Sequence, residues 1–431
     1  MKKYINLSIV FVLFIGLTAF AQQTPAPEQS TAMSITGVTA HIGDGTVISN
    51  ATIVFEDGKI TALGDASTPT KGNVVNASGQ HMYPGLIAPA KSLGLVEVNA
   101  VRASNDQDEI GDMIPHIRSL IAYNAESKVV ESMRPNGVLM AQITPQGGTI
   151  SGTSSIVQFD AWNWEDAAVK VDDAIHMNWP NSFRRGRWWL GEPRGFKPND
   201  NYAKDIDEIR TFMATAKAYG SEGNQWEHNL AYAASQGLFD GSQQLFIRAD
   251  GEKEMIDAVT FCKEMGIAKM VIVGGYQAHK ITGFLKQNNV PVLVGQPHAT
   301  PYMEDHDYDH NYKLPKLLMD AGLMVGIQNA GMSNFQTRNF PFYAGQVAGQ
   351  GLDKEKALQL ITGNNAKILG IDVDYGTLAV GKSATFFVSQ GDALDMRTNL
   401  LTHAFIDGRK LSLETHQTEL YKRYSDKYSK Q

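Results

Sequence analysis

Between residues 82 and 370, short apolar segments alternate with segments whose apolar residues recur every three to four positions. This pattern predicts βα units and therefore a parallel sheet. The predicted strands are Met82–Ile87, Val138–Ile143, Ile156–Phe159, Leu245–Arg248, Met270–Val273, Val290–Val294 and Leu323–Ile327. The predicted helices include Asp205–Tyr219, Gly251–Met265, Ala278–Gln287 and Lys354–Thr362. This number of strands fits a (β/α)8 TIM-like barrel, and a doubly wound sheet is the alternative.

Both ends of the chain carry β-strand patterns of a different kind. Ile35–Ile42 and Ala51–Phe55 read as strands, and Glu56–Lys59 reads as a hairpin turn. A matching block of short strands and turns spans residues 376–411. These flanking β blocks favour the barrel over the doubly wound sheet. The charged residues 412–431 predict a terminal helix.

Residues 1–21 have the features of a secretory signal peptide. Lys2 and Lys3 precede the apolar run Ile5–Thr18, and Ala19-Phe20-Ala21 forms a small-residue cleavage site. The alternative, a transmembrane anchor, needs about 20 apolar residues, and this run is shorter. Residues 22–32 resemble a disordered linker in composition. We therefore expect an exported protein, periplasmic or secreted, without a membrane anchor.

The charge and the cysteine content of the sequence limit its binding partners and its cross-links. The formal net charge is −7, and no basic stretch offers a surface for a phosphate backbone, so nucleic-acid binding is excluded. Cys262 is the single cysteine of the sequence, so no internal disulfide can form.

The segment after the first β block carries the most specific signal. Pro84-Gly85-Leu86-Ile87 is followed by Ala88, Ala90 and Ser92. This arrangement resembles the amidohydrolase superfamily, and in particular its imidazolonepropionase-like, composite-domain members. In those proteins Pro-Gly-Leu-Ile leads into an Asp-x-His-x-His strand whose histidines hold a catalytic divalent metal. Here Ala88 stands in the place of the aspartate, and Ala90 and Ser92 stand in the places of the histidines.

The resemblance extends over nearly all of residues 33–411. Further segments that carry it are Gly147–Ser154, Trp162–Asp166, His176–Pro180, Gly274–Lys280 and Asn364–Gly370. It implies a composite β-sandwich made of residues 33–83 and 371–411, and a barrel made of residues 84–370. It also suggests an exported branch with a degenerate metal site.

The resemblance places the other family ligands on later strands. Arg248 stands where active relatives carry a histidine, Gly274 where a metal-binding histidine is usual, and Ala330 (or Asn329, in a shifted register) where the essential aspartate lies. The family norm is zinc or another divalent metal, and we expect no cofactor here. Bound zinc lowers the pKa of water from 15.7 to about 7. Without it, efficient hydrolysis by the family mechanism is not expected.

A different metal site is conceivable between residues 298 and 310. Its candidate ligands are His298, His306, Asp307, Asp309 and His310. They predict either a zinc or calcium loop or a solvated acidic loop. The resemblance favours the acidic loop, because relatives carry an acidic Asp-x-Tyr-Asp segment there.

Arg248 and Asp250 are the leading site candidates, both for binding and for catalysis. Two residues apart on a strand, they share one face, and the strand ends at the barrel mouth. Arg248 can replace the missing metal by a fixed charge that binds a small anionic ligand, or it can form a salt bridge with Asp250 that closes the barrel. His279 is a further catalytic candidate. Tyr276, His279, His298 and Asn329 complete the binding candidates.

Two functions remain open from the sequence. The first is a hydrolase of non-peptide carbon–nitrogen bonds whose metal centre has degenerated. The second is a non-catalytic homologue that binds a small molecule, forms a homo-oligomer or pairs with an active amidohydrolase. The tryptophan-rich stretch between Trp162 and Trp189 is expected to form a contact surface, since clustered tryptophans are typical of interfaces.

Overall fold

The computed structural model describes residues 24–186, 188–192, 195–221, 228–328, 330 and 333–429. The predicted signal peptide, Arg187 and Asn329 lie outside these residues. Within the described part, no helix combines the length and apolar character needed to cross a membrane.

One mixed sheet joins the two ends of the chain. Its strands are β1 (Met33–His41), β2 (Val47–Glu56), β3 (Lys59–Gly64), β4 (Asn73–Asn76), β5 (His81–Pro84), β16 (Phe386–Ser389), β17 (Leu401–Ile406) and β18 (Arg409–Lys410). The order is β18-β17-β16-β5-β1-β2-β3, and β4 pairs with β1. The antiparallel pair β5–β16 connects the N-terminal and C-terminal halves. Phe55, Phe386 and Phe405 pack edge to face or tilted in its buried core.

A second eight-stranded sheet forms the barrel. Its strands are β6 (Leu86–Lys91), β7 (Val138–Ile143), β8 (Ile150–Gln158), β9 (Ala168–Asn178), β12 (Gln244–Ala249), β13 (Met270–Gly274), β14 (Val292–Val294) and β15 (Val325–Ile327). Neighbouring strands are parallel, except that β8 runs antiparallel to β7 and β9. A small hairpin of β10 (Phe183–Arg185) and β11 (Phe196–Pro198) lies outside. The α/β class with a TIM-like barrel and a composite β domain, predicted from the sequence, is confirmed.

Asn365 bridges the two ends of the barrel sheet. Its side-chain amide donates to the carbonyl oxygens of Ile87 in β6 and Ile327 in β15, at 2.9 and 3.2 Å. Gly326 leaves the room for this contact, because a Cβ there would lie 2.0 Å from Asn365 Oδ1. A buried amide therefore supplies hydrogen bonds across a seam where the edge strands would otherwise leave carbonyls unpaired.

The α-helices mostly follow the barrel strands. They are α1 (Lys128–Glu131), α2 (Trp164–Ala167), α3 (Tyr202–Ser221), α4 (Leu230–Ala234), α5 (Gln236–Asp240), α6 (Glu252–Met265), α7 (Thr282–Gln287), α8 (His310–Asp320), α9 (Phe340–Gly349), α10 (Lys354–Gln359), α11 (Gly363–Leu369) and α12 (His416–Tyr428). Cys262 is buried in α6.

Three elements differ from the sequence prediction. The strand predicted at Met82–Ile87 is divided at Gly85, so that β5 joins the composite sheet and β6 the barrel. Strand β9 was not predicted, because Val169-Lys170-Val171-Asp172-Asp173 mixes apolar and charged residues. The helix predicted at Ala278–Gln287 is a 3-10 turn, Ala278–Lys280, followed by α7.

The N-terminal segment is bound to the fold, which its composition did not indicate. The Ala26 N–H donates to Asp160 Oδ2 at 2.9 Å, and the Gln29 side chain bonds to Phe55 O and Gly58 N. Asp160 also accepts from Arg134 Nη1 at 3.0 Å and from Arg409 Nη1 at 2.7 Å. This buried carboxylate thus ties the N-terminal segment and the composite domain to the barrel.

The tryptophans of residues 162–189 do not share one environment. Trp162, Trp188 and Trp189 are exposed, whereas Trp179 is buried and donates to Tyr202 Oη at 3.2 Å. Trp188 and Trp189 contact each other edge to face. The predicted contact surface therefore stays a prediction for the exposed tryptophans, and Trp179 belongs to the core.

Candidate functional site

A cavity opens at the carboxyl ends of the barrel strands, where the loops after β12 to β15 meet. Its volume is about 280 Å³, enough for a small organic molecule. Its wall includes Arg248, Asp250, Gly274, Tyr276, Gln328 and Ala330. Two described residues among the predicted binding residues, His279 and His298, are not part of this wall. The His298 ring contacts Tyr312 and Gln346 instead, and Asn329 lies outside the described residues.

Arg248 dominates the charge of this wall. It is half-buried at the end of β12, and among the described residues its guanidinium has one hydrogen bond, a long one of 3.4 Å to Gln146 Oε1. A guanidinium has five N–H donors. Burial lowers its pKa, and Asp250 opposes that effect. Arg248 therefore keeps most of its donors available to a ligand.

Asp250 faces the same cavity but does not close an ion pair with Arg248. No contact within 4.0 Å joins the two charged groups among the ion pairs of the described residues. The carboxylate accepts instead from the Tyr276 N–H at 3.3 Å. Burial of the carboxyl group raises the pKa of Asp250, while the hydrogen bond from the Tyr276 N–H and the charge of Arg248 oppose this rise. The salt bridge, one of the two alternatives left open by the sequence, is not formed among the described residues, because strand β12 ends at Ala249 and Asp250 turns towards the next loop.

Lys91 is a second buried cation near Arg248, and the sequence reasoning missed it. Between Ala88 and Lys91, strand β6 holds one residue more than its partner β7, and Ala90 there has φ 54°. A bulge of this kind reverses the face to which the next side chain points. The side chain of Lys91 is 2 % exposed. Burial and the charge of Arg248 lower its pKa to about 7.

A chain of buried polar groups runs from this bulge across the barrel interior. The Ala90 N–H donates to Gln142 Oε1 at 3.1 Å, and Gln142 Nε2 donates to Asp173 Oδ2 at 2.8 Å. The Ser154 hydroxyl donates to Asp173 Oδ1 at 2.8 Å, and His176 Nε2 lies 2.9 Å from Ser154 Oγ. Burial raises the pKa of Asp173 to about 6, against its hydrogen bonds.

His176 ends this chain next to the mouth. It lines a small recess that also includes Arg248 and Val273, both of which line the main cavity as well. Burial, and then the charge of Arg248, lower the pKa of His176 to about 3. The ring is therefore neutral at physiological pH.

Replacing His176 by Gln should change how stability depends on pH. An unfolded histidine takes up a proton near pH 6.5, whereas the folded ring stays neutral down to about pH 3. Wild-type protein therefore loses stability from this group as the pH falls from 6.5 towards 3. Asp173 has the opposite effect between pH 6 and 4, because its raised pKa favours the folded state on acidification.

Between pH 6 and 4, the free energy of unfolding of His176→Gln should rise relative to wild type by about 1.4 kcal/mol per pH unit of acidification. Urea denaturation at several pH values measures this. His228→Gln, at an exposed position, is the control and should follow wild type. A parallel pH dependence of His176→Gln and wild type would show that the ring titrates normally.

The candidate metal loop does not gather its five residues. His306 Nδ1 and His310 Nε2 bond to the side-chain and main-chain oxygens of Tyr276, at 3.0 and 3.1 Å. Asp307 and Asp309 pair with Lys313 instead. No group of three potential ligands from His, Cys, Asp and Glu comes together in the described residues. His279 stacks edge to face with His310, beside Tyr276 rather than in the wall of the cavity.

Comparison with known proteins agrees with this geometry. The amidohydrolase family model matches residues 312–413. This match covers the C-terminal part of the chain. The fold of the protein is similar to that of an amidohydrolase from Thermotoga maritima MSB8, with a TM-score of 0.75 and 20 % identity over 88 % of this chain and 99 % of that one. The match and the fold agree with the superfamily that the sequence resembles.

More distant structures share the fold. Molinate hydrolase has a TM-score of 0.53 and 14 % identity, covering 91 % of this chain and 96 % of that one. A Xaa-Pro dipeptidase with bound methionine has a TM-score of 0.55 and 13 % identity, covering 89 % and 100 %. At these identities the likeness shows the fold alone. No curated protein matches the sequence significantly.

The places that the resemblance assigns to metal ligands do not fit a metal in this protein. Zinc binds to thiolate, imidazole and carboxylate groups, and Ala90, Gly274 and Ala330 offer none. The Ser92 hydroxyl donates to Asn334 Oδ1 at 3.3 Å. The backbone does not favour a side chain at residue 274 either: Gly274 has φ 108°, and a Cβ there would lie 2.5 Å from Asp250 Oδ1. A histidine at residue 274 would thus require both the loop and Asp250 to move.

Proposed function

We propose that this amidohydrolase-superfamily protein is a metal-independent binding protein for a small carboxylate-bearing molecule, and that it lacks hydrolysis by the metal mechanism of the superfamily. The observation that carries the proposal is Arg248. Its guanidinium forms part of the wall of the cavity, and its one hydrogen bond to a described residue is the long one to Gln146. Guanidinium groups bind carboxylates through two parallel hydrogen bonds.

The surrounding charges support an anion. Arg248 lies close enough to Lys91 to lower the pKa of its amine, so a carboxylate bound at Arg248 would offset this charge. Asp250 faces the same cavity, and it can accept a hydrogen bond from an N–H or O–H group of the ligand. The proposed ligand class is therefore a small carboxylate with a nearby donor.

The alternative is a hydrolase of carbon–nitrogen bonds, which the family membership favours. Such an enzyme has to activate water. The residues in the metal positions offer no ligand set, and a side-chain base alone contributes about 10²- to 10⁴-fold in rate. The ring of His176 is held neutral by burial, and we assign it to binding rather than to hydrolysis.

One experiment separates the two functions. N-Acetylglycine and its neutral analogue N-acetylglycinamide are titrated into the purified protein by calorimetry, before and after dialysis against a chelator. We expect N-acetylglycine to bind, the neutral amide to bind at least tenfold more weakly, and dialysis to change neither the affinity nor the thermal midpoint.

Metal analysis of the same sample accompanies the titration. One tightly held zinc ion per chain, with a thermal midpoint that falls by several degrees after dialysis, would contradict the proposal and favour the hydrolase. Equal binding of the charged and the neutral probe would contradict the role of Arg248.

A further inference from the structure

The hydrogen bonds around Ser154 fix the position of the proton on His176. The Ser154 hydroxyl donates to Asp173 Oδ1 at 2.8 Å, and its oxygen lies 2.9 Å from His176 Nε2. A hydroxyl has a single proton to donate. While Asp173 is ionised, Ser154 Oγ must therefore accept the Nε2–H of His176. The neutral ring then carries its proton on Nε2 and leaves Nδ1 unprotonated.

The other ring nitrogen, Nδ1, is the one whose surroundings bear on ligand binding. Nδ1 of His176 has no hydrogen bond to the residues that the structure describes, nor is it among their fully buried unpartnered atoms. The ring itself forms part of the wall of the recess next to Arg248. The recess has a volume of about 10 Å³, which holds one water molecule or one polar atom of a ligand.

We propose that His176 is a specificity-determining residue of the site. The chain Asp173–Ser154–His176 presents an unprotonated imidazole nitrogen beside the Arg248 guanidinium, and the two groups together select carboxylates that carry a neighbouring N–H donor over those that carry an acceptor there. This inference deepens the proposed function and rests on it for the carboxylate. The position of the proton on His176 stands independently of any ligand.

The hydrogen-bonded series Asp173–Ser154–His176 has a second arrangement of its protons when Asp173 is protonated. Gln142 Nε2 continues to donate to Oδ2, the carboxyl O–H on Oδ1 donates a hydrogen bond to Ser154 Oγ, and the Ser154 hydroxyl turns to donate to His176 Nε2. The ring proton then moves to Nδ1, and its charge does not change. The charged groups that act on these residues are Arg248 on His176 and Lys170 on Asp173.

Asp173→Asn should imitate this second arrangement at neutral pH. Gln142 Nε2 needs an acceptor, so the amide oxygen of the substituted side chain takes that position and its NH₂ group faces Ser154. The Ser154 hydroxyl then turns to His176 Nε2 at 2.9 Å or to the Ala174 carbonyl at 3.2 Å. The shorter contact favours the imidazole, so the proton moves to Nδ1.

The position of the proton is measured by ¹⁵N NMR of histidine-labelled protein at pH 7.5, with His176 assigned by the His176→Gln variant. We expect a neutral ring with Nε2–H in wild type, and a shift towards Nδ1–H in Asp173→Asn. A wild-type ring that carries its proton on Nδ1, or on both nitrogens, would overturn the inference. This result is independent of whether any carboxylate binds.

The selectivity is measured with N-acetylglycine and its ester analogue acetoxyacetate, which replaces the N–H donor by an oxygen acceptor. Wild type should prefer N-acetylglycine at least fivefold, and Asp173→Asn and Ser154→Ala should lose most of this preference. Ser155→Ala is the matched control, since Ser155 is a buried serine that bonds to Asp172 instead.

The outcomes separate the two proposals. If wild type binds neither probe, the proposed function fails, and the NMR result alone decides the state of His176. In the other outcome, wild type binds both probes while Asp173→Asn and Ser154→Ala keep the full preference for N-acetylglycine. Asp250 or another acceptor then binds the N–H group of the probe. In that case the selective role of His176 is refuted.

Discussion

Asp160→Ala is expected to lower the free energy of unfolding by about 3–5 kcal/mol, the range for breaking a buried ion pair by removing one partner. Asp160 lies between two guanidinium groups, at 3.0 Å from Arg134 and 2.7 Å from Arg409. All three side chains are buried, with exposed fractions of 2, 5 and 10 %. Removing the carboxylate leaves two cations close together without their shared counter-ion.

The position of Asp160 in the fold adds to this effect. Arg409 belongs to β18 of the composite sheet, Arg134 precedes barrel strand β7, and the Ala26 N–H also donates to the same carboxylate. Urea denaturation followed by circular dichroism measures the change. Asp320→Ala, which removes an exposed pair with Lys316, is the control and should cost less than about 1 kcal/mol. Similar losses in both variants would show that the buried triad contributes little.

The sequence predicted the fold well because burial patterns are local. Seven of the eight barrel strands appear as short apolar runs, and both parts of the composite sheet appear as strand–turn patterns. Strand β9 was missed because its first half is only half-buried, and Lys170 and Asp172 interrupt the apolar run there. The triad of Arg134, Asp160 and Arg409 was beyond reach, since its members lie far apart in the sequence and meet only in the folded chain.

The candidate site was predicted in part. Arg248 follows from the resemblance, because it replaces a histidine at a strand end, and the structure places it in the cavity wall. The position of Lys91 near Arg248 could not be predicted, because it depends on the bulge at Ala90 and no residue pattern indicates that bulge. His176 was hidden with its strand, although the segment His176–Pro180 was singled out as part of the resemblance. A search for polar residues inside the predicted barrel strands would have found Gln142, whereas Ser154 precedes the predicted strand Ile156–Phe159 and belongs to β8 only in the structure.

The candidate metal loop of residues 298–310 shows that close spacing of possible ligands in the sequence does not by itself predict a metal site. His306, His310 and their acidic neighbours are dense in sequence, but the beginning of α8 directs the histidines towards Tyr276 and the aspartates towards Lys313. Proximity along the chain therefore did not produce a common centre. In contrast, Gln142, Ser154 and Asp173 are spread over three strands and form one connected chain.

Arg248→Met is the second variant with a large expected effect, and it acts on binding rather than on folding. Methionine has a similar length and no charge. Because the guanidinium is half-buried and has few partners in the protein, its removal should leave the thermal midpoint unchanged or slightly raised. Losing charged hydrogen bonds to a carboxylate costs about 2–3 kcal/mol, which corresponds to roughly 30- to 150-fold in affinity.

The ratio of the dissociation constants of Arg248→Met and wild type for N-acetylglycine, measured by calorimetry at one ionic strength, is the most direct test of a cationic site in place of a metal centre. Arg423→Met, at an exposed position on α12, controls for the loss of one positive charge and should bind like wild type. We predict a ratio of about 30 or more for Arg248→Met with the thermal midpoint retained. A ratio near one, or no binding of N-acetylglycine by wild type, would contradict the account.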